Sequence, residues 1–168
     1  MISAIVAVDE NYGIGYNGEM LTGIRGDLKM FRELTSGYTV IMGRKTFDAL
    51  PNGALPNRRN IVISSRAEGG LKSVSDEKGE YVLSSMEKVK ELLEKNTEET
   101  LFIIGGGVIY RELLPYCDRV YLTRIYKAFD KADTYFPRID RMKKWKESSC
   151  GDMLEENGLK YRFFVYEK

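Results

Sequence analysis

Short apolar runs alternate with amphipathic stretches along most of this chain, a pattern typical of strands that alternate with helices. The apolar runs predict strands at residues 2–8, 38–42, 60–64, 81–83, 101–104, 120–125, 144–149 and 160–166. Helical spacing predicts helices at residues 27–35, 44–50, 86–95 and 108–114. The clearest helix is the third, because Met86, Val89 and Leu93 fall on one side of it and lysines and glutamates on the other.

This alternation predicts an α/β fold in a single domain over residues 1–168. We expect a mostly parallel mixed sheet of about eight strands, flanked by about four helices. The last two apolar runs lie on either side of Glu155-Glu156-Asn157-Gly158 and predict a C-terminal antiparallel hairpin. Residues 11–18 are interpreted as a glycine-rich loop and residues 66–79 as a polar surface loop. In such a sheet we expect ligands at the strand-to-helix turns.

The amino-acid composition limits the range of functions that this chain could have. The chain has 168 residues, 43% hydrophobic and 30% charged, and a net charge of +1, so we expect a globular protein without a general surface for nucleic acid. No apolar run resembles a membrane span or a signal peptide, and we expect a cytoplasmic protein that binds no membrane. Cys117 and Cys150 lack metal-ligand spacing, so no metal site is expected. The chain has no histidine, which favours chemistry that a cofactor carries, such as hydride transfer.

Two predicted strand-to-helix turns have the features of phosphate-binding sites. Gly43-Arg44-Lys45-Thr46 adds two cations and a hydroxyl to a helix start, and Gly105-Gly106-Gly107 allows a ligand to approach the backbone closely. Together they fit a dinucleotide, although neither matches the Rossmann fingerprint or a P-loop. Taken alone, the first turn is more simply an ordinary helix start with solvated basic side chains.

Two charged residues are candidates for contacting a substrate. Asp27 shares a helix face with Phe31, where burial would raise its pKa and where it could pair with an amidine-like group. Arg58 follows Leu55-Pro56-Asn57 and could hold a carboxylate through two hydrogen bonds. Simpler interpretations remain open: an aspartate favoured by the helix dipole, and an exposed arginine beside a turn.

In order along the chain, these residues resemble dihydrofolate reductase over nearly the whole length. The resemblance rests on Ala7-Val8-Asp9, Ile14-Gly15 with Asn17-Gly18, Asp27-Leu28-x-x-Phe31, Ile41-Met42-Gly43-Arg44-Lys45-Thr46, Leu55-Pro56-Asn57-Arg58, Ile63-Ser64-Ser65, Ile104-Gly105-Gly106-Gly107 with Tyr110, Asp118-Arg119-Val120-Tyr121-Leu122-Thr123 and Asp133-Thr134-Tyr135-Phe136-Pro137. It implies reduction of 7,8-dihydrofolate to 5,6,7,8-tetrahydrofolate by NADPH, in a monomer that antifolate inhibitors bind. It also implies a cis peptide bond between Gly105 and Gly106.

The resemblance implies roles for residues at the substrate. Asp27 would be catalytic and would bind the amino and ring N–H groups of the pterin, supported by Thr123, while water protonates the pterin N5. Arg58 would bind the glutamate tail. The other substrate-binding residues would be Ile5, Val6, Leu28, Phe31, Leu50, Leu55, Ile104 and Tyr110. Where the family usually has a proline-tryptophan pair, this chain has Leu21-Thr22, and the Thr22 hydroxyl would hold the water that the tryptophan holds.

For NADPH the resemblance implies a second set of residues. The nicotinamide would lie among Ala7, Ile14 and Tyr110. The phosphates would contact Gly106, Gly107, Val108 and Ile109 from one side and Arg44, Lys45 and Thr46 from the other, with Arg44, Ser64 and Arg66 at the 2′-phosphate. The remaining cofactor-binding residues would be Gly15, Asn17, Gly18, Met20, Gly43, Ile63, Ser65, Ile104, Gly105 and Thr134.

Two alternatives remain open. The NADPH-dependent reductase of riboflavin biosynthesis shares the fold, although its substrate carries a ribose phosphate and gives no role to Asp27 or Arg58. A non-catalytic pterin or nucleotide binder would hold NADPH without oxidising it.

Overall fold

The computed structural model describes residues 1–67, 69–96 and 98–168. Along these residues the strands are β1 (Ile2–Val8), β2 (Gly13–Tyr16), β3 (Glu19–Met20), β4 (Thr39–Gly43), β5 (Arg59–Ile63), β6 (Lys72–Asp76), β7 (Gly79–Ser84), β8 (Leu101–Gly105), β9 (Arg119–Ile125), β10 (Thr134–Tyr135), β11 (Lys146–Cys150), β12 (Leu154–Glu156) and β13 (Leu159–Glu167). The α-helices are α1 (Arg25–Thr35), α2 (Arg44–Asp48), α3 (Met86–Lys95) and α4 (Gly107–Leu113).

Ten of these strands form one mixed sheet. Its order is β11-β13-β9-β1-β8-β4-β5-β7-β6, and β12 pairs with β13 beside this path. The strands from β9 to β7 pair in parallel, whereas β13 joins β9, and β6 joins β7, in antiparallel pairs. The predicted α/β class, the four helices and the closing antiparallel strands are confirmed. The sheet has ten strands where about eight were expected.

The sheet carries an apolar core on each face, because alternate residues of its strands point to opposite sides. One core contains Val6 and Val8 of β1 with residues of α3 and α4. The other contains Ile5 of β1 and packs against the partly buried Phe31 of α1 and the buried Phe47 of α2. The face that carries α1 is therefore the face on which Asp27 lies.

The segment 66–79 is not a surface loop throughout, because it contains β6. This strand pairs with β7 from Lys72 opposite Leu83 to Asp76 opposite Gly79. Four of its five residues are exposed, so it is an edge strand whose polar sequence shows no alternation of apolar residues. Glu68, within the predicted loop, lies outside the described residues.

The stretch 11–18 is also more regular than a loop. It contains β2, which pairs with β3 and β10 in a separate three-stranded sheet. The two-residue strands Glu19–Met20 and Thr134–Tyr135 are too short to show a periodic pattern in the sequence. Asn17 and Gly18 make the turn between β2 and β3 with φ angles of 51° and 82°.

Some predicted boundaries move by one or two residues. Helix α1 begins at Arg25 rather than 27, and α2 ends at Asp48 because Pro51 disfavours a helical conformation at Leu50. Strand β11 begins at Lys146, and the turn at Asn157-Gly158 joins β12 rather than β11 to β13. Within the described ranges, no helix combines the length and apolar character that a membrane crossing requires.

Candidate active site

Asp27 lies in the first turn of α1 and is 9% exposed. Its Oδ1 accepts a hydrogen bond of 2.6 Å from the hydroxyl of Thr123 on β9. Burial raises the pKa of the Asp27 carboxyl, and the Thr123 hydrogen bond offsets part of that shift. This carboxyl therefore exchanges its proton closer to neutral pH than an exposed aspartate does.

The register of the sheet fixes the position of Thr123. It lies opposite Ala7 of β1 on one side and opposite Phe163 of β13 on the other. Two residues further along β9, Ile125 shares an apolar cluster with Ile24, the residue that precedes α1. The start of α1 is thus held over β9 by an apolar contact and a hydrogen bond, and three predicted residues, Ala7, Asp27 and Thr123, are brought together.

An apolar wall adjoins Asp27 on the same face of the sheet. Five residues predicted to bind substrate belong to one cluster: Ile5, Phe31, Leu50, Leu55 and Ile104. Leu28, one residue after Asp27, is 46% exposed. A flat ring whose edge reached Asp27 would lie between Leu28 and Phe31 of α1 and the residues of the sheet.

Val6 and Tyr110 do not belong to this wall. Both side chains lie in the core on the opposite face of the sheet. The hydroxyl of Tyr110 donates a 2.6 Å hydrogen bond to the carbonyl oxygen of Ile5, and burial raises its pKa. Contact of Val6 with a substrate would therefore use its backbone, and Tyr110 supports the position of Ile5.

Arg58 is held in place before any ligand arrives. Its Nε donates to the Pro56 carbonyl oxygen at 2.8 Å, and Nη1 donates to Oγ1 of Thr35 at 3.0 Å. Its Cζ lies 6.0 Å from the centre of the Phe31 ring. Arginine has five N–H donors, so three of them have no partner within the described residues. They suit a carboxylate bound through two hydrogen bonds at the end of the apolar wall.

The two predicted phosphate turns lie side by side because β4 and β8 are neighbouring parallel strands. A Cβ atom placed on Gly106 would lie 3.4 Å from Oγ1 of Thr46, and one placed on Gly43 would lie 3.0 Å from Cγ1 of Ile109. Gly105 has a φ of +120°, which side-chain-bearing residues rarely adopt, and the Gly105-Gly106 bond is cis as expected. Neighbouring side chains therefore pack directly against these glycines, and the two turns fit closely together.

Cations lie at the outer end of these turns. Arg44 and Lys45 are exposed at the start of α2, and Nε of Arg44 lies 3.2 Å from Oδ1 of Asp48. Nζ of Lys78, from the turn between β6 and β7, lies 2.8 Å from the same oxygen. Sequence reasoning missed the contact between Lys78 and Asp48, because residues 66–79 were interpreted as a polar surface loop.

The other residues predicted to bind the cofactor near these turns differ in how exposed their side chains are. At the end of β5, Ile63 is buried and Ser64 is half-buried, with its Oγ accepting the N–H of Arg66 at 3.2 Å. Ser65 and Arg66 are exposed. On α4, Ile109 is buried, whereas Val108 is 59% exposed and offers an apolar surface rather than a charge.

The segment that contains β2 and β3 is tied down by two aspartates that sequence reasoning gave no role. Oδ2 of Asp133 accepts the N–H of Asn17 at 2.9 Å, and the Asp133 N–H donates to the carbonyl oxygen of Gly15 at 3.0 Å. Asp9, 1% exposed, accepts the N–H groups of Asn11, Gly13 and Phe129 at 2.7–3.0 Å. Asp9, two residues before the glycine-rich segment 11–18, was the one sequence signal for these contacts.

A small cleft opens between this segment and the sheet. It is lined by Ala7, Asp9, Gly13, Ile14, Met20, Leu21, Thr22 and Ile125. Ala7, Ile14, Met20 and Thr22, which were predicted to contact cofactor or water, are therefore neighbours. The side chain of Thr22 makes no hydrogen bond within the described part of the chain. Thr134 also approaches the phosphate turns, since a Cβ on Gly107 would lie 2.6 Å from Cγ2 of Thr134.

A wider cavity of about 350 Å³ lies on the other side of Met20 and Leu21. It is lined by Tyr16, Glu19, Met20, Leu21 and residues 127–131. None of its walls contains Asp27, Arg58 or the phosphate turns, so we place the chemistry in the cleft and along the apolar wall. Among residues 1–67, 69–96 and 98–168, no three histidine, cysteine, aspartate or glutamate side chains could jointly hold a metal ion.

Comparison with known proteins adds an independent observation. The family model for dihydrofolate reductase matches residues 1–168 of the chain. The dihydrofolate reductase of Bacillus subtilis (strain 168) is 39% identical over 170 residues, which cover 100% of this chain and 95% of that protein. The dihydrofolate reductase of Drosophila melanogaster is 36% identical, over 98% of this chain and 96% of that protein.

A solved structure is similar in three dimensions. It is a dihydrofolate reductase from Enterococcus faecalis, complexed with NADP(H) and RAB-propyl. It superposes with a TM-score of 0.81 and 31% sequence identity, and covers 99% of this chain and 95% of that one.

Proposed function

The chain belongs to the dihydrofolate reductase family, and from this premise we propose how its own residues bind the substrate and the cofactor. It is an NADPH-dependent oxidoreductase that reduces 7,8-dihydrofolate to 5,6,7,8-tetrahydrofolate. The resemblance seen in the sequence is confirmed, and the alternative as a riboflavin-pathway reductase is set aside. The roles of individual residues are our proposal.

Asp27 is the residue that binds the pterin. The observation that carries this proposal is its burial in the first turn of α1 beside the apolar wall, with one carboxylate oxygen engaged by Thr123. The other oxygen has no hydrogen-bond partner within the described residues. The pterin's amino and ring N–H groups would donate hydrogen bonds to the acceptor positions of this carboxylate that remain open, which supports tight and oriented binding.

Asp27 also favours protonation of the bound pterin. Burial raises the pKa of its carboxyl, so the ion pair with a protonated pterin is favoured over two separate charges. Water delivers the proton to the pterin N5, and the hydroxyl of Thr22, which lines the cleft, holds that water. The absence of histidine from the chain is consistent with this arrangement.

The rest of the substrate follows the apolar wall outward. Phe31, Leu50 and Leu55 pack against the aromatic rings, and Arg58 binds the carboxylate of the glutamate tail. Arg58 is already oriented by Pro56 and Thr35, so that little side-chain entropy is lost on binding. An arginine binds a carboxylate at this place better than a lysine would, because its planar guanidinium can donate two parallel hydrogen bonds.

The residues present fit NADPH. Gly105, Gly106 and Gly107 would let the pyrophosphate approach the backbone, the Thr46 hydroxyl lies near Gly106, and Arg44 and Lys45 supply positive charge at the outer end. When it is bound, NADPH supplies the hydride. The segment of Ile14 and Met20 then covers the cleft, and Asp133 holds that segment close to the phosphate turns through Asn17 and Gly15. This cover would shield the reacting atoms from bulk solvent, apart from the water that Thr22 holds.

Partners and location are proposed as well. All of these residues come from one chain, which supports a monomeric enzyme, and antifolate inhibitors would compete for Asp27. Cys117 and Cys150 are free thiols, which supports work in the reducing cytoplasm.

Replacement of Asp27 by Asn tests the proposed site. Asparagine keeps the shape but cannot carry the negative charge, so kcat/KM for dihydrofolate at pH 7 should fall about a hundredfold or more. NADPH binding should change less than about twofold, because no cofactor-binding residue is touched. Steady-state kinetics and fluorescence titration of NADPH measure the two quantities. The exposed Asp152, replaced by Asn, is the control, and undiminished turnover in D27N would refute the role of Asp27.

A further inference from the structure

The helix that carries Asp27 begins without a cap of its own. The residue before it, Ile24, has no side chain that could accept a hydrogen bond. The first intrahelical bond runs from the Leu28 N–H to the Ile24 carbonyl oxygen at 3.0 Å, so the N–H groups of residues 25–27 have no partner inside the helix. Two of the three precede Asp27 directly.

Glu156, 131 residues away in sequence, accepts these two N–H groups. Its Oε2 accepts the Arg25 N–H at 2.7 Å, and its Oε1 accepts the Gly26 N–H at 3.3 Å. A carboxylate at a helix N-terminus is also favoured by the helix dipole. The C-terminal hairpin β12–β13 therefore supplies the cap that α1 lacks.

The hairpin holds Glu156 in a defined place. Asn157 and Gly158 form a two-residue turn with φ angles of 51° and 80°, and Glu156 pairs with Leu159 across it. Three residues after Gly158, Tyr161 lies opposite Ile125 of β9. Its hydroxyl lies so close to Gly26 that a Cβ atom there would collide with it.

Thr123 and Glu156 thus hold α1 at two points. Strand β9 provides Thr123, which binds the side chain of Asp27, and β13 continues the hairpin whose Glu156 binds the backbone one and two residues earlier. Burial raises the pKa of Tyr161, and the nearby charges of Glu156 and Asp27 raise it further. Residues 21–24, which lead into α1, form no helix or strand, and among them the buried Ile24 packs against Ile125 of β9.

We infer that Glu156 is a positioning residue for the reaction: its carboxylate fixes the first turn of α1 so that Asp27 meets the pterin in one orientation. This inference rests on the proposed role of Asp27. Glu156 touches neither substrate nor cofactor and acts through the backbone of Arg25 and Gly26. A catalytic carboxylate displaced by a fraction of an ångström loses much of its effect, so the cap matters for turnover and not only for folding.

The test replaces Glu156 by Ala and by Gln, with Glu155→Ala and Glu155→Gln as matched controls. Glu155 precedes it in β12, is exposed, and accepts no hydrogen bond within the described residues. In E156A we expect kcat/KM for dihydrofolate to fall about threefold to thirtyfold, less than the roughly hundredfold that a misplacement of about 1 Å can cost. E156Q keeps one accepting oxygen and should recover part of this loss. The Kd of NADPH should stay within about twofold of the wild type.

Several outcomes decide the matter. A lower melting temperature in E156A with kcat/KM for dihydrofolate equal to that of E155A would show a purely structural cap and overturn the inference. If E156A does not fold, E156Q decides alone, because kcat/KM equal to that of E155Q would overturn the inference and a lower value would support it.

Amide hydrogen exchange at Arg25 and Gly26 should accelerate in the Glu156 variants, and unchanged exchange would refute the contact itself. A wild-type protein that does not turn over dihydrofolate would instead refute the proposed function, and the exchange experiment would still decide on the cap.

Discussion

One buried carboxyl, Asp27, carries the proposed proton chemistry in a chain that has no histidine. Its environment combines desolvation with a single neutral hydrogen bond from Thr123 and no cationic partner within the described residues. Such a site leaves the carboxylate short of favourable interactions until a cationic or N–H-bearing ligand arrives. The residue is therefore tuned to its ligand at some cost to the free protein.

That cost gives a pH-dependent prediction of stability. Folding raises the pKa of the Asp27 carboxyl above its ordinary value of 3.8. The protonated carboxyl therefore contributes its full share of the folding stability below pH 3.8, and this contribution is lost as the pH rises through the pKa of the folded state. D27N should therefore have a larger free energy of unfolding than the wild type at pH 7, and the difference should shrink as the pH falls toward 4. Urea unfolding at a series of pH values measures it. A difference of constant size at all pH values would contradict the burial effect.

Arg58 gives a second prediction at the scale of one residue. Arg58→Lys keeps the charge but loses the planar fork and the bonds to Pro56 and Thr35, so KM for dihydrofolate should rise about tenfold or more. The Kd of NADPH should stay within about twofold. The neighbouring Arg59, which is exposed, provides Arg59→Lys as the control. Equal losses for substrate and cofactor would count against a contact with the glutamate tail.

At the scale of elements, helix α3 shows how a cap acts when it is local. Its N-cap residue Ser85 accepts the Lys88 N–H at 3.2 Å, in contrast to the distant cap on α1. Ser85→Ala should lower the free energy of unfolding by about 1 kcal/mol, and Ser85→Asp should retain most of it. Denaturant unfolding measures the change. The kcat of both variants should equal that of the wild type, and a fall in kcat would mean that α3 contributes to the site.

The elements differ in how far the sequence could predict them. Helix α3 has the predicted bounds because its apolar stripe and its capping serine are local features. Strand β6 escaped prediction because an exposed edge strand gains its hydrogen bonds from β7 and needs no apolar alternation. The short strands β2, β3 and β10 are held by one another and by Asp133, a contact across 116 residues that local periodicity does not encode.

The same distinction applies to the site. Asp27, Phe31 and the glycine turns were predictable because each stands in a motif with a defined offset from a strand or helix. Lys78 was not, since its approach to Asp48 depends on a hairpin that the sequence did not reveal. Val6 was assigned to the substrate, although strand alternation turns its side chain to the opposite core.

At the scale of the whole molecule, one sheet joins the first strand of the chain to the last. Strand β1 lies beside β9, and β9 lies beside β13, so that both ends of the chain support the Thr123 position. We propose on this basis that residues 1–168 form a single domain. The apolar wall, the phosphate turns and the cleft all lie around the same sheet, which fixes their relative positions, and the segment from β2 to β3 borders the cleft.

The most direct test of this enzyme's function is NADPH oxidation by the purified protein, followed by absorbance with and without 7,8-dihydrofolate. We predict that NADPH is consumed only when dihydrofolate is present, and that one tetrahydrofolate forms for each NADPH oxidised. Binding of both ligands without consumption of NADPH would contradict the assignment of enzymatic activity and identify a non-catalytic binder. Leu21-Thr22 would then be the first residues to exchange for the family's proline-tryptophan pair.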